Sequence, residues 1–230
     1  CALPIFWTPR DSADLPVMVW FHGGSHTSGQ GHSLIFDGTS LASHGVVLIT
    51  INYRLGPFGF LAHPWLAAES PHGSAGNYGL LDKIAALEWV KANANAFGGD
   101  PDNVTIFGQS AGSQSVCALM ASPLARGLFD KAIGQSAGCA HRSPLNPSSN
   151  LDPRGFARGS ALVSALDSDD LATLRRADAE AVLGAALATG WEDKSRITLD
   201  GWVLPEPPQQ VFATNRQAPV PLLQIGRAHV

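Results

Sequence analysis

The residues Val104-Thr105-Ile106-Phe107-Gly108-Gln109-Ser110-Ala111-Gly112 carry more information than any other stretch of this 230-residue chain. Val104 to Phe107 are β-branched or aromatic and read as a short, buried strand. Gly108 to Gly112 match G-x-S-x-G, and residues 111–121 read as a helix. A serine between a strand and a helix in that motif is the signature of a nucleophile elbow. The glycines are needed because so tight a turn has no room for Cβ atoms beside the serine, which is held in a strained backbone conformation. Ser110 is then presented at the positive end of a helix, where N–H groups favour a developing oxyanion. A phosphate-binding loop also places Gly and Ser before a helix, but it requires Lys after its last Gly, and Ser113 stands there.

Upstream, residues 78–97 place Leu80, Leu81, Ile84, Leu87 and Val90 on one helical stripe. Gly98-Gly99 stops that helix, and Asp100-Pro101-Asp102 reads as the turn into the next strand. Further back, Val17-Met18-Val19-Trp20-Phe21 and Val46-Val47-Leu48-Ile49-Thr50-Ile51 are the near-continuous apolar runs of strands covered on both faces. Leu3-Pro4-Ile5-Phe6-Trp7 reads as extended. Strand, helix, strand with crossovers of this length predicts an α/β layered domain with a mostly parallel sheet. After Ser122 the pattern fades. Residues 146–154 read as loop, short helices are expected at 168–176 and 178–187, and Trp202-Val203-Leu204 and Pro221-Leu222-Leu223 read as extended.

Composition narrows the function. Forty-five per cent hydrophobic residues supply a core, and 15 Lys+Arg against 19 Asp+Glu give a net charge of −4, which excludes a dedicated nucleic-acid binder. The longest apolar run, residues 46–51, is strand-sized, so no membrane span is expected. Cys1, Cys117 and Cys139 are too widely spaced for a zinc site or a disulfide scaffold, and Cys117 in an apolar helix reads as a buried free thiol. No metal site and no cofactor are expected. His22 and His26 have H-x-x-x-H spacing, but Gly23-Gly24 makes that segment a loop.

His22-Gly23-Gly24-Ser25 follows the strand at 17–21, and its glycines would let backbone N–H groups point at a substrate oxygen. Together with Asn52-Tyr53-Arg54-Leu55-Gly56, Gly76-Asn77-Tyr78-Gly79-Leu80-Leu81-Asp82, Phe97-Gly98-Gly99-Asp100-Pro101 and Gly108 to Gly112, it resembles the successive landmarks of the type-B carboxylesterases. These are the α/β-hydrolases that include cholinesterases and para-nitrobenzyl esterases. The resemblance runs from Cys1 to about Leu223, more weakly after Cys139. It implies an α/β-hydrolase fold present as its N-terminal and central part, incomplete, with residues 1–224 as a partial domain; residues 225–230, by their own sequence, read as a non-native tail similar to a translated adapter.

The implied activity is hydrolysis of a small-molecule carboxylic ester through an acyl-enzyme on Ser110. Gly24, Ser25 and Ala111 form the oxyanion hole, and the triad acid and His lie outside the chain. Alternatives on the same fold are an amidase or thioesterase, or a non-catalytic cholinesterase-like binding module. Ser25 stands where the family usually has Gly or Ala, and Gln109 where Glu is common. His22 is expected to orient the oxyanion loop, while His26, His32, His44, His63 and His72 read as loop and surface residues. His141 and His229 match no catalytic position. Arg54 reads as a structural charge buried near the sheet edge, and Asp82 as a carboxylate in the first helical turn. Compartment and oligomeric state are not written in the sequence.

Overall fold

The computed structural model describes residues 4–139, 153–191 and 197–226. Six strands form one sheet: β1 (Pro4–Trp7), β2 (Leu15–Phe21), β3 (Val47–Ile51), β4 (Gly99–Gln109), β5 (Lys131–Gln135) and β6 (Leu222–Ile225). Their order is β1-β3-β2-β4-β5-β6. Only β1 is antiparallel to its neighbour, pairing Pro4 with Ile51 and Trp7 with Leu48. The three strands expected from the apolar runs are therefore adjacent, with β2 between β3 and β4. All five residues of β3 are buried, as its continuous apolar run requires.

The helices are α1 (Thr39–Ala42), α2 (Gly56–Phe60), α3 (Pro64–Glu69), α4 (Tyr78–Asn93), α5 (Ala111–Ala121), α6 (Pro153–Ala165), α7 (Leu171–Arg176), α8 (Ala179–Ala188) and α9 (Pro208–Ala213). Leu80, Ile84, Leu87 and Val90 of α4 share one core with Val17, Val19 and Phe21 of β2 and Val116, Leu119 and Met120 of α5. A 3-10 turn, Ala94–Phe97, prolongs α4 until Gly98 takes φ 77° and ends it. A second cluster joins Leu61, Leu162, Val163, Leu174 and Trp191 around α6 to α8. The helix expected from residue 168 begins at Leu171, where Asp170 caps α7 by accepting from Thr173 N, and Asp178 caps α8 by accepting from Glu180 N.

Several expectations are corrected. Asp100-Pro101-Asp102 lies within β4, where the register jumps from Leu15↔Gly99 to Val17↔Val104, so the turn chemistry serves a bulge. Asp102 N donates to Asp100 Oδ1 inside it. β5 and α6 are additional elements, and Pro153 and Arg154, read as loop, fall within α6. Trp202 and Val203 lie in a bend; Val203 and Leu204 nevertheless enter the core. Cys117 is not a free thiol: it is disulfide-bonded to Cys139, with Cα atoms 5.0 Å apart. Cys1, His141 and residues 227–230 of the expected tail lie outside the described residues, whereas Ile225 closes β6 opposite Gln135.

Candidate active site

β4 ends at Gln109, and the chain turns at Ser110 with φ 55° and ψ −119° before α5 begins at Ala111. A non-glycine residue takes a positive φ at a cost of about 1 kcal/mol or more, so the surroundings must enforce it. They do so through backbone. Ser110 N–H donates to Gln135 O of β5 at 2.8 Å, and Gln114 N–H donates to Ser110 O at 3.0 Å. Both flanking glycines are obligatory: a Cβ on Gly112 would sit 1.9 Å from Phe21 O, and one on Gly108 2.6 Å from Gly112 C. The elbow is thus pressed against the end of β2.

The loop leaving β2 meets it there. A Cβ on Gly23 would lie 2.9 Å from Gln109 O and 3.3 Å from the Cβ of Ser110. Gly24, Ser25 and His26 follow with φ of 103°, 55° and 59°, three successive residues in the left-handed region. Thr27 and Ser28 N–H groups both donate to Gly24 O, closing the turn. The structure therefore places the Gly24–Ser25 backbone immediately after the residue that faces Ser110, and Ala111 opens the helix on its other side. Among the described residues, no side chain hydrogen-bonds Ser110 Oγ, and no group of three or more His, Cys, Asp or Glu side chains could hold a metal.

His22 is buried, as suits a residue that orients this loop. Its Nδ1 bonds Gly23 O at 2.8 Å and its ring stacks on Tyr53 at 4.4 Å between centroids. Tyr53 Oη donates to His22 O at 2.7 Å. Burial lowers the His22 pKa and the charge on Lys83 lowers it further, while the bond to Gly23 raises it, so the ring is kept neutral. Burial also pushes the Tyr53 hydroxyl far up, leaving it a donor.

Lys83 is the residue that the sequence reading passed over. It is fully buried, its Nζ donates to Gly79 O at 3.1 Å, and it stands 3.0 Å from the centroid of the Tyr53 ring, a cation–π geometry. The periodic signal was present: Lys83 sits three residues after Leu80 and one before Ile84, on the apolar stripe of α4.

His26 and His63 correct the surface reading, being 2% and 6% exposed. His63 accepts from Trp65 N at the start of α3, and His26 Nε2 bonds Ser115 Oγ of α5 at 3.0 Å. Arg54 and Asp82 are structural as expected, but placed differently. Asp82 lies beyond the first turn of α4 and receives Nε and Nη2 of Arg54 in a fork, together with the Arg54 backbone N–H. Arg54 follows β3, which lies inside the sheet rather than at its edge, and its side chain is 48% exposed.

The sequence pattern of the carboxylesterase family matches residues 3–227. The chain is 40% identical to fumonisin B1 esterase of Sphingopyxis macrogoltabida, over 99% of this chain and 42% of that protein. It is likewise 40% identical to para-nitrobenzyl esterase of Bacillus subtilis (strain 168), over 95% and 44% of the two. A crystal structure of a Geobacillus stearothermophilus carboxylesterase superposes with a TM-score of 0.87 at 39% identity, covering 97% of this chain and 46% of the other. The chain spans less than half the length of these relatives. No helix among the described residues is long and apolar enough to cross a membrane.

Proposed function

This chain belongs to the carboxylesterase family, and on that premise we propose that the protein carrying it is a serine esterase in which Ser110 is the nucleophile. Ser110 Oγ attacks the carbonyl carbon of a small carboxylic ester and gives up its proton to a base. Backbone N–H groups of Gly24, Ser25 and Ala111 receive the oxyanion of the tetrahedral intermediate. Collapse expels the alcohol, which takes the proton back, and leaves an acyl-Ser110 ester; water then releases the acid and restores the serine. The base and the acid that orients it belong to the part of the family domain that this chain does not span.

One observation carries this reading: Ser110 holds a left-handed φ of 55° at a strand–helix elbow, with the Gly23 backbone packed against its Cβ. An ordinary loop serine has no need of that strain, and a binding module of the same fold has no need of the nucleophile.

The test is labelling of the whole protein with a fluorophosphonate, followed by peptide mapping, and turnover of para-nitrophenyl acyl esters. Label on Ser110 and loss of turnover in Ser110→Ala are expected. Undiminished turnover in Ser110→Ala would overturn the assignment. A parallel panel of esters, amides and thioesters separates an esterase from an amidase or thioesterase.

A further inference from the structure

Two halves of the proposed oxyanion hole lie far apart in the chain, Gly24 and Ser25 after β2 and Ala111 after β4, and one buried side-chain bond joins them. Ser115 Oγ donates to Ala111 O at 3.1 Å, which leaves its lone pairs to accept from His26 Nε2–H at 3.0 Å. His26 and Ser115 are both buried, at 2% and 0% exposure. The hydrogen-bond path therefore runs from the strained loop, through two side chains, to the residue that offers the third N–H donor.

The loop needs such an anchor. Ser25 and His26 both hold positive φ, and Ser25 is exposed, so its own side chain cannot enforce the conformation. Strained backbone persists only where its surroundings over-determine it. His26 supplies that determination three times. Its ring packs 5.0 Å from Phe60 and edge-on to Tyr53 at 6.3 Å, its carbonyl accepts from Gly56 N–H at 2.7 Å, and its imidazole grips α5.

We propose that His26 is a positioning residue for ester hydrolysis, its bond to Ser115 locking the Gly24–Ser25 N–H groups in register with that of Ala111. The inference rests on the esterase reading above. An oxyanion donor acts only if it stands at hydrogen-bond distance from where the charge develops, and a displacement of about 1 Å caused by a residue remote from the chemistry can cost about a hundredfold in rate. A broken lock should therefore lower kcat and spare KM.

The experiment compares Ser115→Ala, His26→Phe, His26→Gln and the double variant Ser115→Ala/His26→Phe in the whole protein, with Ser110→Ala as reference. Ser115→Ala removes only a hydroxyl from a helix, so it reports even if a ring substitution at position 26 disturbs folding. Expected are a fall in kcat of about tenfold or more in Ser115→Ala and His26→Phe, KM within about twofold, and a parallel weakening of an aryl trifluoromethyl ketone, whose adduct mimics the oxyanion. The double variant should be no worse than the more damaged single one, and His26→Gln, which keeps a donor, should recover part of the loss. Turnover abolished by Ser110→Ala but unchanged in Ser115→Ala, or a loss expressed wholly in KM, would overturn the positioning role alone. Turnover that survives Ser110→Ala overturns the esterase reading and this inference together.

Discussion

Lys83→Met is the most informative single substitution for stability. The lysine ammonium is wholly buried with one hydrogen bond, to Gly79 O, and two aromatic faces, that of Tyr53 at 3.0 Å and that of Phe21 at 6.0 Å. Gly79 O keeps a partner without it, because the same carbonyl accepts the α4 backbone bond of residue 83. Replacing a buried charge by an apolar side chain of similar volume is neutral to stabilising by about 1–4 kcal/mol, and a desolvated cation–π contact returns about 2 kcal/mol to the lysine. Subtracting the one from the other leaves Met between about 2 kcal/mol less and about 2 kcal/mol more stable at pH 7, any advantage being largest at low pH.

The pH dependence sharpens this expectation. Burial lowers the Lys83 pKa well below its ordinary 10.5, with the nearby Asp82 charge pulling weakly the other way. Between the depressed folded pKa and 10.5 the unfolded chain holds the proton that the folded chain has released. Stability of the parent protein therefore rises with pH in that window, by about 1.4 kcal/mol per pH unit, and is flat above it. That contribution is present above the unfolded pKa and is lost as pH falls to the folded one. Met does not titrate, so its advantage should shrink steadily as pH is raised towards 10.5. Urea unfolding followed by tryptophan fluorescence at intervals from pH 6 to 10 measures the difference. A Lys83→Met effect that does not vary with pH across that range, or that grows more favourable with pH, would refute the reasoning.

Two further outcomes are expected. Gly112→Ala should cost at least about 3 kcal/mol, the upper end of overpacking penalties, because its Cβ would meet backbone Phe21 O rather than a side chain able to move; an unchanged melting temperature would contradict this. Cys139→Ser, or reduction with dithiothreitol, should cost roughly 3 kcal/mol, since the Cys117–Cys139 bond closes a loop with a sequence separation of 22; an identical urea midpoint with and without reductant would count against the pairing.

The elbow was legible because each of its needs is local: β-branched residues for the strand, two glycines for the turn, a helix directly after. The loop after β2 was legible for the same reason. β5 was not, because its buried positions are Ala132 and Gly134, the second so close to Ser113 Oγ that a Cβ would approach it to 2.8 Å. Such a strand has no hydrophobic alternation to find. Lys83 could have been found from helical period alone, yet polarity argued against burial, and aromatic rings from other segments, Tyr53 and Phe21, make that burial tolerable. His26 was misread on the same ground, since its partner Ser115 lies 89 residues away. The Cys117–Cys139 pairing depends on where β5 delivers Cys139, which no spacing rule expresses.

The β2–β4 pairing also governs when the site comes into being. Phe21 stands opposite Gly108 only after a long loop of chain has closed, and parallel pairing of that kind comes late compared with local helix formation. Before closure Gly112 has no Phe21 carbonyl beside it and Gly23 has no elbow to face, so Ser110 keeps only the restraints that β5 and α5 place on its backbone. In the esterase proposed above, the oxyanion donors of the loop after β2 and of α5 thus come together only with strand docking. In the whole protein, labelling of Ser110 by a fluorophosphonate during refolding should then never run ahead of the meeting of these two strands.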